Sequence, residues 1–306
     1  MVSWPDLGTR VTVRYRRPAG SVPPLTDAVG HLLAVDPVVR VRTKTGAVVE
    51  FAPADVVALR VLTDAPVRAS AIRALEQAAA AAWPGVEQTW LDGWLLRAGH
   101  GATFSANSAA PLDISAHTGT IPAIAAWYEE RNLTPWLAIP DRLLRLPPGL
   151  AGEHAEHILV RDVSDFSTRE PDASITFSAR PDDAWLRIHQ GEIPVDVLTA
   201  VVDGELTFGA HPGGAVARAA VTVAPDGTRW LGLSEVRAAD EQSAAVPAAQ
   251  LCEAVLIWGA RRGATRGYMR VHDADATALA ESLSFRPHHR TRYFLATAPR
   301  ISPDSL

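Results

Sequence analysis

Residues 251–264 read Leu-Cys-Glu-Ala-Val-Leu-Ile-Trp-Gly-Ala-Arg-Arg-Gly-Ala, and residues 265–271 read Thr-Arg-Gly-Tyr-Met-Arg-Val. In the first stretch Leu251, Val255, Leu256 and Trp258 recur at the spacing of one helix face. Gly263 supplies the C-cap, so the pattern predicts a long helix from about Ala245 to Arg262. Thr265–Val271 is predicted as a strand. Upstream, Ala215–Val223 and Trp230–Ala238 read as strands joined by the turn Pro225-Asp226-Gly227, a hairpin. Downstream, a helix is predicted at Asp275–Leu283, and Phe285 with Tyr293–Leu295 are assigned to a terminal hairpin. The strand Ile158–Val163, helices at Asp182–His189 and Pro194–Val202, and the strand Glu205–Gly209 complete this section.

The preceding section follows a related order. Ser70 caps a helix over Ala71–Trp83 that stops at Pro84-Gly85. Trp90–Arg97 is predicted to be a strand around a turn at Gly93, and Phe104–Asn107 to be a strand. A helix at Ile121–Arg131 and a strand at Trp136–Ile139 precede the break Pro147-Pro148-Gly149. Helix, strand pair, helix and strand thus recur. Residues 64–300 are read as one α/β unit with halves 64–150 and 151–300, followed by a tail at 301–306.

Residues 1–63 differ. Val11, Val13 and Tyr15 alternate with Thr12, Arg14 and Arg16, and Val39, Val41 and Thr43 with Arg40, Arg42 and Lys44, the period of half-buried strands. Five short strands in this span predict a small closed barrel, SH3-like in its strand order and loops. Its outward face carries Arg10, Arg14, Arg16, Arg17, Arg40, Arg42 and Lys44. That face reads as solvated sheet or as a docking surface for an acidic partner or nucleic acid, although few aromatics stand there to stack bases.

The whole chain has 306 residues, a formal net charge of -5, 47% hydrophobic residues and 21% charged residues. This is globular composition and argues against disorder and against a strongly basic, non-specific nucleic-acid binder. The single cysteine, Cys252, excludes an intramolecular disulfide framework and a Cys-rich zinc site. It is expected to pack as a small hydrophobe. No apolar run approaches the roughly 20 residues that span a bilayer, and no secretory signal precedes the barrel. A cytoplasmic protein without a membrane anchor is expected. No metal site is expected, because the adjacent His288 and His289 should splay to opposite faces of a strand.

The 251–264 helix, the Tyr268–Val271 strand with Asp273, Ala276, Leu279, Leu283 and Phe285, and the stretch Trp94–Arg97 with Asn107-Ser108 and Pro111-Leu112 resemble the GNAT superfamily of N-acetyltransferases. With its barrel, the chain is similar to an actinobacterial, histone-acetyltransferase-like subfamily of that superfamily. The resemblance implies a GNAT-like mixed α/β (α+β) sheet flanked by helices, preceded by the SH3-like barrel, and acetyl-CoA as cosubstrate. It places the pantetheine arm along Val236, Arg237 and Ala238. It places the pyrophosphate at the loop Ser243, Ala244, Ala245, Val246, Pro247, Ala248 and Ala249, where backbone N–H groups and a helix N-terminus favour an anion. Ser243 stands where the family has Arg or Gln, and Val246 where it has Gly. Asp273 matches an Asn of the cofactor site, and Ala280 stands where many members carry a Tyr acid.

Acetyl transfer to an amine needs a base for the ammonium and an acid for the leaving thiolate. Glu235, at the mouth of the hairpin strand, is the candidate base. His272, at the C-terminal end of a core strand, and Tyr268 are the further catalytic candidates. The expected function is N-acetyl transfer by direct attack in a ternary complex, to a protein lysine, an N-terminus or a small molecule. The alternative is a degenerate GNAT fold that serves as a binding or regulatory module.

Overall fold

The computed structural model describes residues 4–5, 7–18, 20–43, 45–62, 67–150, 152–191, 193–239 and 245–296. The chain divides into two compact units, Met1–Pro66 and Val67–Leu306. The expected boundary at 63/64 and the tail at 301–306 lie outside the described residues, as does Lys44.

The first unit holds β1 (Arg10–Arg16), β2 (Leu25–Ala34), β3 (Val39–Thr43), β4 (Val48–Phe51) and β5 (Val56–Val61). All neighbours are antiparallel, in the order β4-β3-β2-β1-β5. All five expected strands are present, but β4 and β5 do not pair among the described residues, so the sheet is open rather than closed. The period-two pattern works as physics requires. Val11, Val13, Leu32, Val39 and Val41 are fully buried on one face, and Tyr15 stacks on Phe51 at 4.0 Å. On the other face Arg14 forks onto Asp27 at 2.8 and 2.9 Å, and Arg40 meets Glu50 at 2.9 Å. Part of the basic face is therefore already neutralised by its own strands.

The second unit runs α1 (Ala69–Ala82), β6 (Glu87–Leu91), β7 (Trp94–Ala98), β8 (Ala109–Pro111), α2 (Ile121–Glu129), β9 (Trp136–Pro140) and β10 (Gly152–Asp162). It continues with β11 (Thr176–Ser178), α3 (Asp183–His189), α4 (Val195–Leu198), β12 (Glu205–His211), β13 (Ala215–Val223) and β14 (Arg229–Ala238). Last come α5 (Ala245–Arg261), β15 (Arg266–Val271), α6 (Ala274–Ser282) and β16 (Arg286–Leu295). The eleven strands β6–β16 form one sheet, β11-β12-β13-β14-β15-β10-β16-β9-β8-β7-β6. This is the mixed, helix-flanked sheet that the resemblance implied.

The order is nearly a palindrome about the β10–β16 ladder. On one side β12, β13 and β14 are antiparallel and β14 runs parallel to β15; on the other β6, β7 and β8 are antiparallel and β8 runs parallel to β9. At the centre the sheet order departs from the chain order. β10 follows β9 in the chain but lies beside β15, and β16 follows β15 but lies beside β9. The stretch read as a terminal hairpin is consequently one long strand, because both of its edges are taken by β10 and β9. Phe104–Asn107 is a turn rather than a strand, with Asn107 N bonded to Phe104 O; pairing resumes at Ala109.

Alternation along the strands sorts the two faces. Leu231, Leu233, Met269 and Val271 pack with Leu251, Val255 and Leu256 of α5, and Cys252 lies fully buried in that core. Trp230 and Tyr268 turn the other way, against Leu75, Ala78 and Ala79 of α1. The end of α5 is a Schellman stop: Ala264 N bonds to Gly259 O, Gly263 N to Ala260 O, and Gly263 sits at φ +80°.

The seam where β15, β10 and β16 adjoin is polar inside. Arg270 reaches Glu76 of α1 at 2.6 Å and Glu156 of β10 at 3.2 Å. His289 holds the other Glu76 oxygen at 2.8 Å, and the Tyr293 hydroxyl donates to Glu156 at 2.8 Å. Burial pushes the Glu76 carboxyl up, but Arg270 and His289 outweigh it and hold it well below the usual range.

Candidate functional site

The strands β14 and β15 part in the middle of the sheet. Their parallel register runs from Trp230↔Arg266 to Leu233↔Met269 and stops, although β14 continues to Ala238 and β15 to Val271. At the same point the β13–β14 ladder slips. Arg218 faces Ser234, but the next pair is Val216↔Arg237, so Glu235 and Val236 together oppose Ala217. This is a β-bulge, and Glu235 occupies its left-handed position at φ +50°.

The bulge decides where the carboxylate goes. Leu231 and Leu233 face α5, so unbroken alternation would send Glu235 there as well. The extra residue instead packs Val236 against the α5 core and turns Glu235 toward α3 on the opposite face. There Glu235 Oε2 lies 2.9 Å from His189 Nε2 and 3.5 Å from an Arg237 guanidinium nitrogen. Burial pushes the Glu235 carboxyl up. The hydrogen bond from His189 and the charges of Arg237 and Arg218 prevail, and the net direction is down. Glu235 is a carboxylate at neutral pH, held in a nearly dry setting.

His189 was not singled out in the sequence. It is the last residue of a short helix whose N-cap, Asp182, accepts from Trp185 N at 2.7 Å. Trp185 stacks on the imidazole at 4.9 Å and anchors its own indole N–H on Gly209 O. No local motif announces this partnership, since 46 residues separate His189 from Glu235.

The other arm of the wedge carries His272, the residue after β15, half exposed, with Nε2 3.4 Å from Asp273. Its ring lies 5.8 Å from His154, which stacks on Phe104 at 4.6 Å. Glu235 and His272 thus stand on facing arms just beyond the last β14–β15 pair. Tyr268 does not join them. It sits in the paired part of the ladder, opposite Gly232 and buried in the α1-side core, where desolvation pushes its hydroxyl up to about 12. Tyr268, a catalytic candidate in the sequence, thus lies away from the opened end of the wedge. Asp273, expected at the cofactor, caps α6 by accepting from Ala276 N at 2.7 Å. Ala280 is fully buried.

Val236, Arg237 and Ala238 lie on the free side of β14, with no β15 partner. Ser243 and Ala244 lie outside the described residues. Ala245, Val246, Ala248 and Ala249 are not loop but the opening turns of α5. An α-helix leaves the N–H groups of its first turn without intrahelical partners, which here means those of Ala245 and Val246. Pro247 has no N–H and costs nothing at such a position. Ala248 is buried against the core.

His288 and His289 do not splay apart as expected. His288 is the extra residue where Ile158↔His289 is followed by Leu159↔Pro287, and this bulge brings the two Nδ1 atoms to 2.7 Å. No group of three metal-ligating side chains occurs among the described residues. No helix among them is long and apolar enough to cross a membrane.

Comparisons with known proteins bear on this geometry. Residues 69–294 match the family described as "Probable histone acetyltransferase Rv0428c C-terminal". Residues 5–60 match the family described as "Rv0428c N-terminal Sm-like domain", so the first unit is Sm-like where SH3-like was expected. The chain is 71% identical over 297 residues to the protein named "Probable histone acetyltransferase Rv0428c" from Mycobacterium tuberculosis, covering 97% of each. A solved GNAT-family structure from Novosphingobium aromaticivorans is similar at a TM-score of 0.50 and 19% identity, over 72% of this chain and 97% of that one. A GCN5-related N-acetyltransferase from Kribbella flavida gives a TM-score of 0.49 and 15% identity, over 76% and 96%. At 19% identity the likeness to the Novosphingobium structure is one of fold.

Proposed function

This chain belongs to the family of the probable histone acetyltransferase Rv0428c, an acyltransferase family of GNAT fold, and from that premise we propose that it moves an acetyl group from acetyl-CoA to an amine at the β14–β15 wedge. The observation that carries the reading is the coincidence of three features at one point. The parallel strands part after Leu233, a bulge there turns Glu235 away from the core, and α5 begins behind the opened strand.

Acetyl-CoA fits what the wedge offers. The unpaired side of β14 from Val236 to Ala238 presents backbone donors and acceptors to an extended, amide-bearing chain, as a sheet edge does to an added strand. The first-turn N–H groups of Ala245 and Val246, which have no partner within the helix, and the positive end of α5 suit its pyrophosphate. Glu235 takes a proton from the acceptor ammonium, and the freed nitrogen attacks the thioester directly. Backbone N–H groups of the opened strand stabilise the developing oxyanion. With Ala280 in place of a tyrosine, His272 on the facing arm is the group we assign to protonate the thiolate. The relative's name, a probable histone acetyltransferase, favours a histone-like protein as acceptor.

Calorimetric titration with acetyl-CoA, with free CoA alongside, tests the reading. Saturable binding in the low micromolar range supports it, and turnover of a histone-tail peptide followed by mass spectrometry identifies the amine. Absence of binding at millimolar acetyl-CoA overturns it and favours the binding-module alternative.

A further inference from the structure

We propose that His189 is a positioning residue for the transfer, donating Nε2–H to Glu235 Oε2 from a ring clamped between Trp185 and the backbone of Gly191; the proposal rests on Glu235 being the base. The imidazole is 2% exposed, and its Nε2 lies 2.9 Å from Oε2. Its other nitrogen, Nδ1, accepts from Gly191 N at 3.2 Å. An N–H pointing at Nδ1 fixes that atom as the acceptor, so the ring proton is on Nε2 and faces the carboxylate. This is the logic of a base oriented by a third group, carried on an unrelated set of elements.

Two details tie the clamp to Glu235 and not merely to packing. Gly191 leaves no room for a side chain, because an added Cβ would stand 2.1 Å from His189 Cε1 and 2.6 Å from Nδ1. Both donors to Glu235, His189 and Arg237, converge on Oε2. Among the described residues Oε1 has no donor, which makes it the oxygen turned to the acceptor. The charged or titratable groups that act on Glu235 are His189 from α3, Arg237 from its own strand and Arg218 from β13.

The proton count closes with His189 unchanged. One ammonium proton goes to Oε1 and later to solvent. The nitrogen lone pair forms the C–N bond, the C–S bond breaks, His272 gives its proton to the thiolate, and the second nitrogen proton replaces it on His272. His189 keeps its Nε2 proton throughout and serves to keep Oε1 aimed and the carboxylate ionised.

The test uses the full chain with His189→Ala, His189→Gln and Gly191→Ala, read by side-chain NMR and by turnover of a histone-tail peptide. In the wild type, imidazole nitrogen shifts at pH 7.5 should report the Nε2–H tautomer, and the Glu235 carboxyl should titrate below the ordinary glutamate range. In His189→Ala and Gly191→Ala that titration should move up by about one pH unit, the size of one lost charge-assisted hydrogen bond. His189→Gln, which keeps an N–H near Oε2, should restore most of the shift. Turnover should fall about 10-fold or more in His189→Ala with acetyl-CoA affinity unchanged. An Nδ1–H tautomer, or a Glu235 titration identical in all variants, overturns the proposal. Full turnover in Glu235→Gln would instead remove the base reading itself, whatever His189 does.

Discussion

The two parallel strand pairs of the second unit are built to one plan and finished differently. The β14–β15 pair holds four registered positions and then opens, and β14 runs five residues further with Ser234, Glu235 and Val236 half-buried. The β8–β9 pair holds one registered position, Ala109↔Leu137, and β8 ends two residues later at Pro111. Ala109, Ala110, Pro111 and Leu112 are all buried, and Leu112 N folds back onto Ala110 O. Behind the first pair stands α5 with 17 residues; behind the second stands α2 with 9. The topology is shared, so topology does not distinguish the two wedges. A single inserted residue in β14 does, by turning one carboxylate out of the α5 core where the strand parts from β15.

The largest effect we expect comes from the seam, on which both pairs depend. Arg270→Ala strands the buried Glu76 and Glu156 carboxylates and should cost about 3–5 kcal/mol in urea unfolding, with both halves melting together. Loss of the β14–β15 half alone would break the comparison, since it would mean that the halves are held independently. Glu235→Gln should leave the fold intact, as read by unfolding midpoints, and lower kcat/KM by about 10²-fold or more. Leu112→Ala, at the sealed wedge, should do the reverse: about 2–3 kcal/mol of stability lost and acetyl-CoA affinity unchanged by calorimetry.

A smaller contrast sharpens the point. Ala245→Glu sets a negative charge at the open end of α5 and should weaken acetyl-CoA binding by about 3–10-fold. The same change at Thr118, just before α2, should leave that affinity alone. The smallest effect is on the pH profile. Glu235 and Glu76 are both held below the ordinary value of 4.5. The stability they add is present in full above that value and is lost as pH falls through their lower folded-state values. The acid limb of kcat/KM should fall below pH 4.5 for the same reason, and a limb nearer pH 6 would remove Glu235 as the titrating base.

Local chemistry was legible in the sequence wherever neighbours in the chain are neighbours in space. The periodicity of Leu251, Val255 and Leu256 and the Gly263 stop marked α5 to within a residue. The turn at Gly93 and the Pro225-Asp226-Gly227 turn marked their hairpins, and Glu235 was visible as an acidic residue at a strand mouth. The partner of Glu235 was not visible. Finding His189 needed the bulge, and a bulge changes the parity on which strand reading rests. The same failure misjudged His288 and His289. Tyr268 read as a candidate acid because its residue type suits the role; only the register, which pairs it with Gly232 before the strands part, sets it apart from Glu235 and His272. The exchange of β10 and β16 was hidden for another reason. Each strand leaves its neighbour in the chain to pair elsewhere in the sheet, and nothing in a strand's own residues names its neighbour.

That exchange also sets a schedule for the ribosome. When β9 and β10 have emerged, β10 lacks β15 and β9 lacks β16, so the first half leaves synthesis with an unpaired edge. The gap closes only when residues 286–295, the final strand of the sheet, are released. Nascent chains arrested before that strand should be the ones that recruit chaperones or pair with one another, while a few residues later the same chain has no central edge to offer.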